Sequence, residues 1–260
     1  MKTSIIIPAY NEEKLIGKTL DEFMNHFNKL KLNYELLIVI NNTTDNTEKI
    51  VKQHQRKNKR IRYLNLKPGG KGFALIQGFN DALKRNNDFI GFVDADLATR
   101  PEEFAKLIPP LEKEEAQAAI ASRYIKGAKI VPAFTLRRTL TSKVFNLLVR
   151  SFFLLPYRDT QCGAKLFTRA AVKDFISKLS ITNWAMDVDI LYKLNKHGYK
   201  IREVPNTWYD IEGQGRLKVT KAAPQMLFAI IQLRLLESPF RRLLIPLKPL
   251  IRPLWRMLNR

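Results

Sequence analysis

Cysteine is almost absent from this chain of 260 residues, which contains Cys162 and no other. A lone thiol cannot form an internal disulfide, and it excludes a metal site built from several cysteines. Long apolar runs are also missing, because the nearest candidate, 222–233, ends at Arg234 and Glu237 and falls short of the ~18 apolar residues of a membrane span. Three isoleucines before Pro8 are too few for a signal peptide. We therefore expect a cytoplasmic protein whose membrane contacts are peripheral.

Acidic side chains are scarce, with 24 Asp and Glu against 45 Lys and Arg, which gives a net charge of +21. Such an excess implies an anionic partner: nucleic acid, an acidic lipid surface or a phosphorylated substrate. From residue 221 onward the basic side chains alternate with bulky apolar ones, a mixture typical of segments that lie in a lipid interface. We predict that 221–260 meets an anionic membrane surface and that nucleic acid is not a partner. Packing of this segment on its own domain, or against a second subunit of a homo-oligomer, is the alternative.

The remainder of the chain alternates strand and helix patterns. Predicted strands cover 4–8, 34–40, 61–66, 88–93 and 116–122, and a further strand over 199–209 is broken at Pro205. Predicted helices cover 12–31, 45–59, 72–85, 101–113, 136–155, 170–178 and 187–197, whereas 159–167 is interpreted as irregular. Prolines from Pro224 onward are expected to cut the last forty residues into short helical pieces. The pattern predicts an α/β domain over 1–220 with a doubly wound, mostly parallel sheet, followed by a helical appendage over 221–260.

Polar residues follow three of these strands, where ligands bind in open α/β sheets. The segments 8–13 and 41–45 each fit a simple helix-capping turn when taken alone. Asp94 and Asp96 are harder to explain structurally, because capping needs one carboxylate and two close carboxylates repel unless a cation joins them. We predict a divalent cation, Mg²⁺ or Mn²⁺, that bridges these aspartates to phosphate oxygens of a nucleotide or sugar nucleotide. Lys71 stands between glycines and can reach a phosphate, although its surroundings do not match a P-loop.

Together these residues resemble the inverting family 2 glycosyltransferases of the GT-A fold, and the resemblance covers roughly 3–220. The matching segments are 7–12, 41–47, 70–72, 94–96 and 122–124. Three further segments resemble those of the polyprenyl-phosphate sugar transferases, the dolichyl-phosphate glucose and mannose synthases, and these are 159–167, 184–189 and 215–218. The long segment 159–167 is the most specific of them.

The resemblance implies a role for each matching residue. Asp187 corresponds to the family's catalytic base, and Asp96 is the closer metal ligand, with Asp94 beside it. The acceptor lipid's phosphate is expected at Arg123, Arg138 and Ser142. The nucleotide sugar is expected at Pro8, Ala9, Tyr10, Glu12, Asn42, Asp45, Lys71, Asp94, Ala95 and Asp96, and at Arg216 and Lys218 on a mobile loop that clamps the donor diphosphate.

The chain departs from the family pattern at four positions and in one motif. Asn41 and Asn42 stand where two aspartates are usual, Leu217 replaces a serine, and Ala98 replaces a glutamine, as in the glucose branch. The Gln-x-x-Arg-Trp signature of processive polysaccharide synthases is absent from the sequence.

The resulting expectation is the inverting transfer of one sugar from a nucleotide sugar to a polyprenyl phosphate at the cytoplasmic face of a membrane. UDP-glucose is the favoured donor and GDP-mannose the next. One alternative is a soluble family 2 enzyme that glycosylates a glycan or protein hydroxyl, in which Asp187 is an indispensable base. A basic nucleic-acid-binding protein is a third interpretation, but it leaves the aspartate pair unexplained.

Overall fold

The computed structural model describes residues 1–179, 185–210 and 219–238, with the backbone alone for 219–224. The strands are β1 (Lys2–Ala9), β2 (Asn33–Asn41), β3 (Ile61–Leu66), β4 (Phe89–Val93), β5 (Ala118–Ser122), β6 (Lys129–Val131), β7 (Ala164–Thr168), β8 (Ile201–Pro205) and β9 (Thr207–Tyr209). The helices are α1 (Ile16–Lys29), α2 (Thr47–Lys57), α3 (Lys71–Leu83), α4 (Pro101–Ala105), α5 (Ile108–Glu112), α6 (Leu136–Phe153), α7 (Arg169–Ile176), α8 (Met186–Lys196) and α9 (Val219–Leu236).

Within the described residues, seven strands form one sheet in the order β3-β2-β1-β4-β7-β5-β8, and β6 pairs with β9 in a second, two-stranded sheet. Strand β7 is antiparallel to both its neighbours, β4 and β5. The remaining pairings are parallel. This arrangement confirms the predicted mostly parallel α/β sheet.

Strand β1 shows how the sequence produces this sheet. Ile5 and Ile7 belong to the core on the side of α1 and α4, and Ile6 belongs to the core on the side of α3, α7 and α8. Alternate residues of a strand point to opposite faces, so a continuous apolar run fits a strand that is covered on both sides. The carboxyl ends of β1, β2 and β4 consequently meet at one edge of the sheet.

Three sequence predictions require correction. The segment 159–167 is not irregular throughout, because its end forms β7, whose second residue, Lys165, interrupts the apolar strand pattern. The predicted helix 101–113 is two short helices, α4 and α5, and the second has prolines in its first turn. Pro224 does not end a helix, since it lies inside α9.

Helix α9 contains the predicted domain boundary after residue 220, so this boundary coincides with no break between elements. Ala229, Ile230 and Leu233 of α9 are buried in a third core cluster, with Val149 of α6 and Val188 of α8. Helices in the described part of the chain are all too short or too polar to cross a membrane.

Candidate active site

Two loops at the edge of the sheet, 10–15 after β1 and 42–46 after β2, are joined by side-chain hydrogen bonds. Thr47 Oγ1 accepts from the backbone N–H of Glu12 at 2.7 Å, and Asp45 accepts from that of Glu13 at 3.1 Å. Asn11 Oδ1 accepts from the backbone N–H of Thr44 at 2.8 Å. Asn11 therefore crosslinks the loops, and α1 itself begins after Leu15 without a side-chain cap. The structure thus brings the predicted residues Glu12 and Asp45 together.

Asn41 links this pair of loops to a third. Its side chain is buried, and its amide donates to the carbonyl of Ala9 at 2.9 Å and accepts from the backbone N–H of Gly70 at 3.1 Å. A carboxylate has no proton to donate to the Ala9 carbonyl. This contact gives a physical reason for asparagine at a position where the family usually has aspartate. Gly70, with φ +119°, precedes α3, whose first residue is Lys71.

The other residues that were predicted to bind the nucleotide near these loops differ in their exposure to solvent. Tyr10 and Asn42 are exposed at the edge of the sheet, whereas Ala9 and Ala95 are buried. The carbonyl of Ala95 accepts from Thr19 Oγ1 at 2.7 Å, and Pro8 lies within β1. The buried pair is therefore part of the frame beneath the site.

Asp94 directly follows β4 and is fixed by two neighbours. Its carboxylate forms an ion pair with Lys71, and its backbone N–H donates to the carbonyl of Gly163 at 3.1 Å. A Cβ atom on Gly163 would lie 2.0 Å from Asp94 Oδ2, so any side chain there would displace the carboxylate. Gly163 is a candidate site position that sequence reasoning did not single out.

Asp96 reaches the same place through a turn over 95–96 rather than through extended backbone. Its Oδ1 accepts from the backbone N–H of Ala98 at 3.0 Å. Burial, and then the neighbouring Asp94 carboxylate, raise the pKa of Asp96. For Lys71, desolvation opposes the charge, but Asp94, Asp187 and Asp96 outweigh it and raise the pKa of the ammonium. Lys71 therefore stays charged at neutral pH.

The oxygen donors of this cluster fit a hard divalent cation. Within the described ranges Asp96 has no lysine or arginine at ion-pairing distance, while Asp94 is paired with Lys71. The described residues contain no cluster of three His, Cys, Asp or Glu side chains arranged for a metal. Mg²⁺ typically takes one or two carboxylates and completes its shell with water and substrate phosphates. The site suits an ion that arrives with a phosphorylated ligand.

Asp187 lies in the first turn of α8 with 17% of its side chain exposed. Lys165 Nζ lies 2.6 Å from Asp187 Oδ1 and 2.6 Å from the carbonyl oxygen of Cys162. The ammonium of Lys165 is completely buried. Lys165 is a second candidate site position that sequence reasoning missed, because its partner is 22 residues away and its strand was not recognised.

Arg123 is held by a buried aspartate. Its Nε and Nη2 donate to the two carboxylate oxygens of Asp159 at 2.7 and 2.9 Å. Burial opposes ionisation of Asp159, but the guanidinium of Arg123 outweighs it and lowers the pKa of the carboxyl. The same partner outweighs the desolvation of Arg123 and raises the pKa of the guanidinium. Both groups are therefore charged at neutral pH.

The other two acceptor-site candidates lie one turn apart on α6. Arg138 forms an ion pair with Asp210 and lies 4.0 Å from the ring centroid of Phe134, while Ser142 Oγ shares a hydrogen bond with the hydroxyl of Tyr124. The ring of Trp208 lies 5.7 Å from the guanidinium of Arg123 and 5.6 Å from that of Arg138. The structure thus brings Arg123 and Arg138 together at Trp208, and it places Ser142 one turn from Arg138 against Tyr124. Arg216 and Lys218 lie outside the described residues.

The segment 159–165 supports each part of the site. Asp159 binds Arg123, Gly163 makes room for Asp94, and Lys165 binds Asp187. These residues therefore position groups on both the aspartate side of the site (Asp94, Asp96 and Asp187) and the arginine side (Arg123 and Arg138).

Comparison with known proteins places the chain in a family. Residues 4–176 match the model of Glycosyl transferase family 2. The dolichyl-phosphate beta-glucosyltransferase of Dictyostelium discoideum is 33% identical over 243 residues, which are 89% of this chain and 73% of that protein. The dolichyl-phosphate beta-glucosyltransferase of Homo sapiens is 32% identical over 223 residues, 81% of this chain and 68% of that protein.

Solved structures confirm the predicted GT-A fold. Glucosyl-3-phosphoglycerate synthase from Mycobacterium tuberculosis, in complex with UDP, matches with a TM-score of 0.68 and 16% identity over 90% of this chain and 80% of that one. The same enzyme in complex with Mn²⁺, UDP and phosphoglyceric acid matches with a TM-score of 0.66 and 16% identity over 90% and 78%.

Proposed function

Since this chain belongs to glycosyl transferase family 2, we propose that it transfers one glucose from UDP-glucose to dolichyl phosphate or a related polyprenyl phosphate, with inversion at the anomeric carbon. The named activity of its relatives supports a dolichyl-phosphate acceptor. Complexes of the solved neighbours with UDP and Mn²⁺ support a uridine nucleotide donor and a divalent cation.

The observation that carries this proposal is the division of the site into two charged groups. Asp94, Asp96 and Lys71 form one group at the carboxyl end of β4 and the start of α3. Arg123 and Arg138 form the other around Trp208. A nucleotide diphosphate with its cation fits the first group, and a second, separate phosphate fits the second group.

The chemistry follows from the acceptor. A phosphate monoester is anionic at neutral pH, so its oxygen attacks the anomeric carbon without prior deprotonation. Arg123, Arg138 and Ser142 orient that phosphate, and Lys71 stabilises the negative charge of the departing diphosphate. Arg216 and Lys218 are proposed to share this last task. Mg²⁺ or Mn²⁺ held by Asp96, with Asp94 nearby, would supply further charge neutralisation of the leaving group.

Arg138 is the more adjustable of the two arginines. Its side chain is 39% exposed and its partner Asp210 is 23% exposed, whereas Asp159, the partner of Arg123, is completely buried. An incoming phosphate can replace Asp210 at Arg138 in solvent-accessible surroundings. Arg123 instead stays fixed by Asp159 and presents its remaining N–H groups.

A lipid acceptor also accounts for the outer side of α6. Exposed apolar side chains recur along this helix, at Leu136, Leu140, Val144, Leu147 and Leu148. Arg137 and Lys143 are exposed on the same helix, which also carries Arg138 and Ser142. On the adjacent α9, Leu227, Ile231 and Leu235 are exposed. We propose that these side chains face an anionic membrane at its cytoplasmic surface, together with the basic segment 239–260, which lies outside the described residues.

Sedimentation with phosphatidylserine vesicles tests this membrane contact. The full chain should pellet, and L140D/L147D should pellet several-fold less at the same melting temperature. Shortening the chain after Ser238 retains α9 and measures the contribution of 239–260. Equal pelleting of all three proteins would refute the membrane contact, and a concentration-dependent dimer of the full chain would instead assign the face to a second copy.

The reaction is tested by following UDP release from UDP-glucose with and without dolichyl phosphate. We expect release to depend on the lipid phosphate and on Mg²⁺ or Mn²⁺. GDP release from GDP-mannose, followed in the same way, should be slower. Release that requires a glycan or protein hydroxyl would contradict the proposal and favour the alternative acceptor class.

A further inference from the structure

Lys165 is unusual because it is a completely buried lysine in the middle of a sheet. It lies opposite Phe92 of β4 and Ile120 of β5. The ammonium makes two short polar contacts, to the carbonyl oxygen of Cys162 and to Asp187 Oδ1, each at 2.6 Å. It also lies 5.4 Å from the centroid of the Phe92 ring.

Burying an ammonium is costly unless it is paired and hydrogen-bonded. A methionine or leucine would fill the same volume without this cost, so packing alone does not account for a lysine here. The ammonium is directed at Asp187, whose side chain remains partly exposed at the edge of the sheet. The contact therefore joins the core of the sheet to a residue of the site.

Asp187 is restrained by its position in α8 as well as by Lys165. It lies in the first turn, where the helix dipole favours a carboxylate. Lys71 also acts on it electrostatically. A carboxylate with one oxygen fixed by a buried ammonium, and with positive potential around it, is suited to accept hydrogen bonds from a sugar. It is poorly suited to rotate and remove a proton.

We propose that Lys165 is a positioning residue that holds Asp187 in one orientation at the sheet edge, where Asp187 orients the donor sugar. This inference rests on the proposed function for the identity of the sugar donor and acceptor. It makes the lysine of segment 159–167 necessary for turnover although Lys165 itself touches no substrate.

The chain offers a matched control for a merely structural role. Lys193 is also buried on α8, and it pairs with Asp189 at 3.3 Å and Glu237 at 2.7 Å. The contact between Lys193 and Glu237 joins α8 to the end of α9, away from the sheet edge. Loss of either lysine should lower the melting temperature, but only loss of Lys165 should affect turnover.

The test compares K165M, K193M, D187N and K165M/D187N by melting temperature and by kcat and KM for both substrates. We expect K165M to lower kcat by about 100-fold, the size of effect seen when a reacting group is misplaced by about 1 Å. Its KM for donor and acceptor should stay within about threefold of the wild-type value. K193M should keep kcat, and the double variant should be no slower than the slower single variant, because both changes remove the same orientation.

Other results would overturn the proposal. One is a kcat of K165M within threefold of that of K193M. Another is a K165M variant that loses kcat/KM through a raised KM while its kcat is unchanged. The third is a double variant whose loss of kcat equals the product of the two single losses. A crystal structure of K165M provides a readout that does not depend on the acceptor, and it should show the Asp187 carboxylate rotated from its wild-type position. If the wild type fails to glucosylate dolichyl phosphate, the proposed function fails, and this crystal structure alone decides the role of Lys165.

Discussion

The aspartate side and the arginine side of the site differ in how their residues are held. On the aspartate side, loops 10–15 and 42–46 are joined by hydrogen bonds, Asn41 ties them to Gly70, and Gly163 leaves space for Asp94. On the arginine side, Arg138 lies on α6, a helix whose apolar side chains are exposed. The aspartate side is thus held by the protein throughout, whereas on the arginine side Asp159 fixes Arg123 but Arg138 and the apolar face of α6 remain exposed. This difference fits a soluble nucleotide sugar and a membrane-bound lipid phosphate.

The largest loss of transfer activity is expected from removing Asp96, whose carboxylate oxygens are proposed to bind the metal ion. D96A should lower transfer by about 1,000-fold or more, because charge on the leaving diphosphate is no longer neutralised. Wild-type protein in EDTA should lose transfer and recover it with Mn²⁺ or Mg²⁺. Radiolabelled transfer measures both, with D21A on α1 as a control. A D96A variant with full activity in chelator would refute the metal role.

Asp159 holds Arg123 in place on the arginine side, and its loss is expected to affect stability first. D159N leaves Arg123, whose side chain is 12% exposed, without its carboxylate, and this costs about 3–5 kcal/mol of unfolding free energy. The lowered pKa of Asp159 means that the ion pair stabilises the fold fully above the ordinary value of 3.8 and is lost as the pH falls through the lower, folded-state value.

Urea unfolding of wild type and D159N from pH 7 to pH 3 measures this effect. The difference in unfolding free energy should be constant above about pH 4 and should shrink below it. A difference that grows as the pH falls would contradict the assignment of this ion pair.

The space provided by Gly163 is tested by adding one methyl group. G163A should lower kcat by about 100-fold, since the new Cβ would lie 2.0 Å from Asp94 Oδ2 and would displace that carboxylate. In G17A, by contrast, the new Cβ meets Ile50 at 3.4 Å, an ordinary contact on α1, and kcat should be unchanged. Steady-state kinetics with circular dichroism separates a local effect from unfolding. Equal activity of the two variants would show that Asp94 is free to move.

A smaller and more selective loss is expected on the arginine side. R138A removes a charge-assisted contact to the acceptor phosphate worth about 1.5–3 kcal/mol, which is about a 10- to 150-fold rise in KM for dolichyl phosphate. The KM for UDP-glucose should not change. R56A, which removes an exposed arginine on α2, should behave like the wild type. A change in donor KM, or equal effects of both variants, would contradict separate donor and acceptor sides.

The sequence alone was sufficient to predict the strands and site residues that depend on a local pattern. The apolar runs of β1 to β5 and the residues after them predicted the sheet and the position of Asp94 and Asp96. Strand β7 was missed because Lys165 interrupts its apolar pattern, and its burial depends on a partner 22 residues away. Likewise, the pairing of Arg123 with Asp159 spans 36 residues and is set by the fold.

Asn41 shows the same limit at a single position. From the sequence it is an unexplained replacement of an aspartate, because the atoms it contacts belong to Ala9 and Gly70. Its role becomes apparent only when the ends of β1 and β2 and the start of α3 are placed side by side. Roles that depend on tertiary contacts of this kind were beyond sequence reasoning.

The most direct test of the account is the structure of the product formed from UDP-[1-¹³C]glucose and dolichyl phosphate with Mn²⁺. We predict a glucosyl phosphate lipid whose anomeric carbon shows the β configuration by NMR, the inverse of the α-linked donor. An α-linked product, or glucose found on a hydroxyl rather than on the lipid phosphate, would contradict direct inverting transfer to a phosphate held on the arginine side.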